Sequence, residues 1–195
     1  MSPVVGWCSP EKADALAALV MALRPCVVVE LGVWMGGSAI PIALALKSVG
    51  SGRLLAIDAW SPEMSVAGQE SEIHRKWWGA VGERGHLRAL EVFLSRLRRH
   101  SIPPEHCTVR RQRTSEAAVP PSIDLLHHDA NHGPQVIADI ERWAPAIRVG
   151  GVLILDDLDW AGGHVLRARD RALELGFIEL YALGTGCVMQ RVRHA

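Results

Sequence analysis

Two hydrophobic rhythms alternate along the chain. Short, continuous, β-branched runs occur at Cys26–Leu31, Arg53–Ile57, Cys107–Arg111, Ile123–His128 and Val152–Leu155. Runs of this kind read as strands buried on both faces, as in a parallel sheet. Between them, Pro10–Leu23, Ser38–Lys47, His86–Arg99, Pro134–Ile147 and His164–Leu175 read as helices, the first with Leu16, Leu19, Val20 and Leu23 at helical spacing. That spacing gives a helix one buried face. Ser9-Pro10 is a start signal for the first helix, and Thr114-Ser115-Glu116 predicts an N-cap opening a further short one. Gly150-Gly151 predicts the turn into the fifth strand. Phe177–Ala182 and Cys187–Val192, joined by Gly184-Thr185-Gly186, predict a closing hairpin. The sum is one α/β domain over residues 1–195, a mostly parallel seven-stranded sheet with one antiparallel strand and helices on both faces.

The stretch 60–85 breaks the rhythm with Ser61-Pro62, four glycines at 68, 79, 82 and 85, and the pair Trp77-Trp78. Long irregular stretches in compact domains are commonly functional. It predicts a lid over a substrate, containing a short helix; the alternative is an insertion that the two tryptophans merely anchor.

The first strand ends on Glu30 and enters the turn Gly32-Val33-Trp34-Met35-Gly36-Gly37-Ser38. Strand, glycine turn and helix make a small-molecule cradle, with glycines admitting a ligand close to the backbone. A dinucleotide fingerprint would be G-x-G-x-x-G. Here bulky Val33, Trp34 and Met35 separate the glycines in an E-x-G-x-x-x-G pattern, poor for a diphosphate. An acid at the strand end suits a cationic ligand without phosphate, and S-adenosylmethionine meets that description. Asp58, ending the second strand, sits where an acid accepts both hydroxyls of a ribose.

Charge changes the picture only by exclusion. Acidic and basic residues number 21 each, so the net charge makes no case for a nucleic-acid backbone as partner. The basic residues Arg96, Arg98, Arg99, Arg110, Arg111 and Arg113 read as a solvated helix end and a strand edge. No apolar run approaches the roughly 20 residues of a membrane helix, and the first residues lack the pattern of a secretory leader. Cys8, Cys26, Cys107 and Cys187 are scattered, without zinc spacing; Cys26, Cys107 and Cys187 read as buried thiols. Together these predict a cytoplasmic protein.

Ligands of open α/β sheets sit beyond the carboxyl ends of the strands. Glu30, Asp58, Asp129, Asp156 and Asp157 all fall there. Five acids on one rim are costly without a cation. Two are explained by an S-adenosyl ligand, and Asp129, Asp156 and Asp157 form an oxygen set suited to Mg²⁺. His132 adds a titratable base three residues from Asp129. His127 and His128 read as supporting groups at the strand end, and His164 as either a substrate contact or a helix cap.

With these motifs in order, the sequence resembles the class I S-adenosylmethionine-dependent methyltransferases of Rossmann-like fold, in their metal-dependent O-methyltransferase branch. Glu30-Leu31-Gly32, Trp34, Gly36 and Ser38-Ala39 are similar to the cofactor segment of catechol O-methyltransferases. Asp129-x-x-His132 with Asp156-Asp157 resembles the macrolide-sugar O-methyltransferases and the cephalosporin-hydroxylase-like group. The resemblance implies that Gly32, Trp34 and Ser38 contact the methionine part of the cofactor and that Glu30 shapes that pocket. Asp58 would bind the ribose, Thr114 and Ser115 would lie near the adenine, and Asp129, Asp156 and Asp157 would hold Mg²⁺. His132 falls where catechol enzymes carry a lysine base and sugar enzymes a histidine. The implied reaction is methyl transfer to a hydroxyl of a small molecule, a sugar or other natural product. Alternatives are a metal-independent methyltransferase, a non-catalytic S-adenosyl- or nucleotide-binding module and, against the glycine spacing, a nicotinamide oxidoreductase. A second copy of the chain is a candidate partner for the Trp-rich stretch.

Overall fold

The computed structural model describes residues 7–68 and 70–193; residues 1–6, 69 and 194–195 of the expected domain lie outside them. The strands are β1 (Val27–Leu31), β2 (Arg53–Asp58), β3 (Cys107–Arg111), β4 (Ile123–His128), β5 (Ile147–Leu155), β6 (Phe177–Leu183) and β7 (Gly186–Arg191). They form one sheet in the order β3-β2-β1-β4-β5-β7-β6. All pairs are parallel except those of β7, which runs antiparallel to β5 and to β6. The helices are α1 (Pro10–Leu23), α2 (Ala39–Val49), α3 (Pro62–Val66), α4 (Glu72–Arg99), α5 (Gln135–Trp143) and α6 (His164–Glu174). No helix among the described residues is long and apolar enough to cross a membrane.

Alternation along the strands sorts the core into two layers. Val28, Leu54, Ala56, Leu125, Val152 and Ile154 face Leu16 and Val20 of α1, Ile42 and Leu46 of α2 and Phe93 of α4. Val29, Leu31, Ile57, Leu126, Leu153 and Leu155 face Val136, Ile140 and Trp143 of α5 and Val165 and Ala168 of α6. The same alternation separates two neighbouring histidines. His127 pairs in register with Glu30 on β1, while His128 turns to the other side and meets Asp139 of α5 at 3.1 Å.

Several local expectations are corrected. The stretch 60–85 is mostly helical: α3 is the short helix, and α4 starts at Glu72 and runs through the two tryptophans to Arg99. Gly82 (φ 59°, ψ −178°) kinks it, dividing an arm before it from the expected His86–Arg99 helix. Thr114-Ser115-Glu116 forms a turn and no helix, because the Thr114 hydroxyl donates to Asp139 Oδ1 (2.8 Å) instead of capping. Gly150-Gly151 lies inside β5, where the pairing jumps from Ile123↔Ile147 to Leu125↔Val152. The two glycines therefore serve a bulge. Pro145 ends α5 early in a 3₁₀ turn, Ala144–Ala146. Cys26 is exposed, not buried.

Gly32 holds the critical crossing. Its φ is +86°, and a Cβ there would lie 2.0 Å from the Asp129 carbonyl oxygen. Its N–H donates to Ile57 O (2.9 Å), while the Asp129 N–H donates to Leu31 O (2.8 Å). Three strand ends are thus drawn together at one point. Gly50 has a similar φ of +76°, and a Cβ there would meet nothing within 4 Å. Gly50→Ala is expected to cost only the left-handed penalty of about 1–2 kcal/mol. Gly32→Ala adds a backbone collision and is expected to cost clearly more, read by denaturant unfolding. Equal costs for the two variants would show that the close approach to Asp129 does not constrain the fold.

Candidate functional site

A cavity of about 730 Å³ opens at the carboxyl ends of β1, β2, β4 and β5, within the range of about 300–1,000 Å³ typical of ligand sites. Gly32, Val33, Trp34, Gly37 and Ser38 form its floor, Asp58 and Thr114 one end, and Asp129, His132, Asp156 and Asp157 the other. Ser115 is exposed and, with Gly36 and Glu30, is not among the lining residues.

The glycine turn is shaped by its own chain. A Cβ at Gly36 would meet the Phe93 ring at 2.3 Å, and one at Gly32 would meet Asp129, so both glycines answer to packing rather than to a ligand. Asp58 organises the turn. Its Oδ2 accepts from the N–H groups of Val33 and Trp34, each at 2.9 Å, and its Oδ1 from Trp60 N–H at 2.7 Å. A carboxylate offers about four lone-pair sites. Three are used by the turn itself, which leaves one free. Aromatic rings wall the opposite side: Trp34 and Trp78 meet edge to face at 5.1 Å, Trp77 and Trp78 at 4.7 Å, and Trp7 and Trp77 at 4.9 Å. Such faces attract cations.

Glu30 is fully buried below the floor. Its Oε1 accepts from the Ser38 hydroxyl and faces His127 Nδ1 at 3.2 Å. On its other side, His127 Nε2 approaches Asp156 Oδ2 at 3.5 Å. Lys12, invisible as a site residue in the sequence, reaches in from α1. Its ammonium contacts Asp156 directly and lies 4.0 Å from Asp129.

The three acids expected to bind one metal are therefore divided. Two sets of potential ligand atoms lie within 4.8 Å of one another among the described residues: His127, Asp129 and Asp156, and Asp129, His132 and Asp157. Asp156, engaged by Lys12 and His127, belongs to the first set only. In the second, His132 Nε2 stands 3.6 Å from Asp129 and 3.7 Å from Asp157. His132 is 8% exposed, and its Nε2 is one of the few buried side-chain atoms without a hydrogen-bond partner. Desolvation pushes the Asp129 carboxyl up, but His132, Lys12 and His127 outweigh it and hold the group below the usual carboxylate range. Asp157 takes the left-handed conformation (φ 54°) and accepts from the Thr185 hydroxyl at 2.8 Å. Asp129 and Asp157 together offer carboxylate oxygens of the kind a divalent ion takes.

Other groups resolve differently. His164 neither lines the cavity nor caps α6; it meets Glu70 at 2.9 Å. Asn131 donates to the carbonyls of Met64 and Ala67 (2.6 and 2.8 Å), docking α3 over the site. Trp160 covers His132 at 4.6 Å and stacks on His74 of the α4 arm at 4.0 Å. Burial drives the Cys8 thiol up to about 11 despite nearby Lys12, so the one cysteine at the cavity stays protonated and is no nucleophile.

A family model described as a methyltransferase domain matches residues 29–158, about two thirds of the chain. A search of curated proteins finds no match. Solved structures with a similar fold include the O-methyltransferase NovP, at TM-score 0.73 and 17% identity over 94% of this chain and 80% of that one. The O-methyltransferase TomG from Streptomyces achromogenes, involved in tomaymycin synthesis and solved with S-adenosylmethionine, aligns at TM-score 0.64 and 18% identity over 94% and 80%. An O-methyltransferase from Bacillus cereus, solved with S-adenosylhomocysteine, aligns at TM-score 0.60 and 20% identity over 98% and 84%. The family match runs from β1 through the acid pair after β5, the segments that build the cavity, and the chain belongs to the methyltransferase-domain family as a class I S-adenosylmethionine-dependent methyltransferase.

Proposed function

We propose that the chain transfers a methyl group from S-adenosylmethionine to a hydroxyl of a small natural-product acceptor, a sugar among the candidates, with His132 as general base. The observation that carries this reading is the buried, unpartnered Nε2 of His132, set between two carboxylates on the cavity wall. The acceptor oxygen attacks the methyl carbon, the carbon–sulfur bond breaks, the sulfonium becomes a neutral thioether, and the hydroxyl proton passes to His132. Asp129 and Asp157 hold the imidazole between them and stabilise its protonated form. The neighbouring wall of Met64, Ile73, Trp160 and Leu183 is apolar, so it suits an acceptor that presents one hydroxyl edge to His132 and an apolar face elsewhere. Asp129 and Asp157 are the carboxylates that would hold Mg²⁺, which would supply a lowered pKa and a fixed position for the acceptor hydroxyl. Mg²⁺ prefers oxygen ligands, leaving the imidazole nitrogen for the proton.

Calorimetry with S-adenosylhomocysteine is expected to show one binding site; no heat of binding would remove the reading. His132→Ala is expected to lower kcat by about 10²–10⁴-fold at neutral pH, the usual worth of a general base, and to leave the affinity for S-adenosylhomocysteine unchanged. An unaltered kcat would remove His132 from the mechanism. Turnover is expected to fall to background in EDTA and to return with millimolar Mg²⁺. Full turnover in EDTA would dispense with the ion while leaving the base in place.

A further inference from the structure

The acid cluster already contains a cation of the chain's own. Ser9 caps α1 through the Lys12 N–H (3.2 Å), which fixes the backbone beneath the side chain. The Lys12 side chain is 12% exposed, and its ammonium sits on Asp156 Oδ2 with Asp129 Oδ2 at 4.0 Å. Asp156 is buried and the half-buried Asp129 offers a second carboxylate within 4.8 Å of it, so the pair needs a counter-charge. Proton transfer to His132 makes no use of Lys12. Its placement is explained by the charge it meets.

We propose that Lys12 is a built-in competitor of the divalent ion. It withdraws Asp156 from the ligand set and places a positive charge against Asp129, so that metal binding at Asp129 and Asp157 is weak and works against the ammonium. Without metal, Lys12 keeps the cluster neutralised and assembled. With metal, the Lys12 side chain yields Asp129, and α1 senses the occupancy of the site. This rests on the assignment of Asp129 and Asp157 to the reaction site. The consequence is a methyltransferase whose metal affinity is set by its first helix as well as by its acids.

The test is Mn²⁺ binding to the full chain, followed by the electron paramagnetic resonance signal of the free ion, for the wild type, Lys12→Met and Lys12→Arg. Lys12→Met is expected to bind Mn²⁺ at least about tenfold more tightly than the wild type, equivalent to about 1.4 kcal/mol, and Lys12→Arg to stay near the wild type. In the absence of metal, Lys12→Met is expected to melt below the wild type and to recover most of that loss when Mn²⁺ is added. Equal or weaker Mn²⁺ binding by Lys12→Met overturns the proposal, as does a failure of both proteins to bind Mn²⁺ at millimolar concentration. If Lys12→Met does not fold, Lys12→Gln, which removes the charge and keeps a shorter polar end, is read by the same criterion. Calorimetry with S-adenosylhomocysteine on the same samples separates the outcomes. Its loss in the wild type defeats the functional reading, whereas its retention with unchanged Mn²⁺ affinity defeats the Lys12 proposal alone.

Discussion

Buried charge needs compensation, and in this protein polar and charged side chains follow one another in a line of close approaches along the cavity. The Ser38 hydroxyl meets Glu30, Glu30 meets His127, His127 approaches Asp156, and Asp156 holds Lys12. From Lys12 the line passes to Asp129, His132 and Asp157 and ends at Thr185. Each link is modest alone, but leaving one member of a buried ion pair without its partner costs about 3–5 kcal/mol. The line stitches α2, β1, β4, β5, α1 and the β6–β7 turn into one unit. It also explains why Glu30 and His127 are tolerated in the centre of an otherwise apolar sheet: they face each other across β1 and β4 in register.

In the proposed reaction the line also connects the two halves of the chemistry. Its first member, Ser38, belongs to the glycine turn assigned to the cofactor; its later members belong to the side proposed for the acceptor. Gly32 brings the halves within reach, because only a residue without a side chain lets β1 end against the Asp129 backbone. The separation of the two sides of the cavity is therefore set by main-chain contact, which is stiff, while the charges are set by side chains, which are adjustable. Rigid spacing with tunable electrostatics suits a methyl transfer, in which alignment of oxygen, carbon and sulfur can contribute on the order of 7–11 kcal/mol in the best intramolecular cases.

Most of the scaffold is legible in the sequence because its signals are local. The β-branched runs form strands, Pro10–Leu23 forms α1 to the residue, and the acids fall at strand ends as an open sheet requires. Sequence and structure part where a distant partner overrides a local signal. Gly79, Gly82 and Gly85 look like breakers, yet only Gly82 leaves helical geometry, and the arm before it is anchored where Trp77 and Trp78 pack against Trp7 and Trp34. Thr114 looks like a cap, but Asp139 takes its hydroxyl. The rim of five acids is where the two differ most. Glu30 is buried, Asp58 is largely spent on the turn, and Asp156 is engaged by a lysine whose position on α1 carries no sequence signal of that contact.

The roof of the site is built from different contacts than its charged wall. The α4 arm is joined to the rest of its helix through Gly82, whose backbone is non-helical. Its cavity-facing contacts are rings: His74 on Trp160, and Trp78 on Trp34. The roof is thus held by ring contacts, whereas the opposite wall is held by charged ones. Beyond the kink, Phe93 packs against Gly36 of the glycine turn. Trp78 of the arm packs on Trp34 of the glycine turn, so in the proposed reaction the acceptor side and the donor side of the cavity meet through one ring contact.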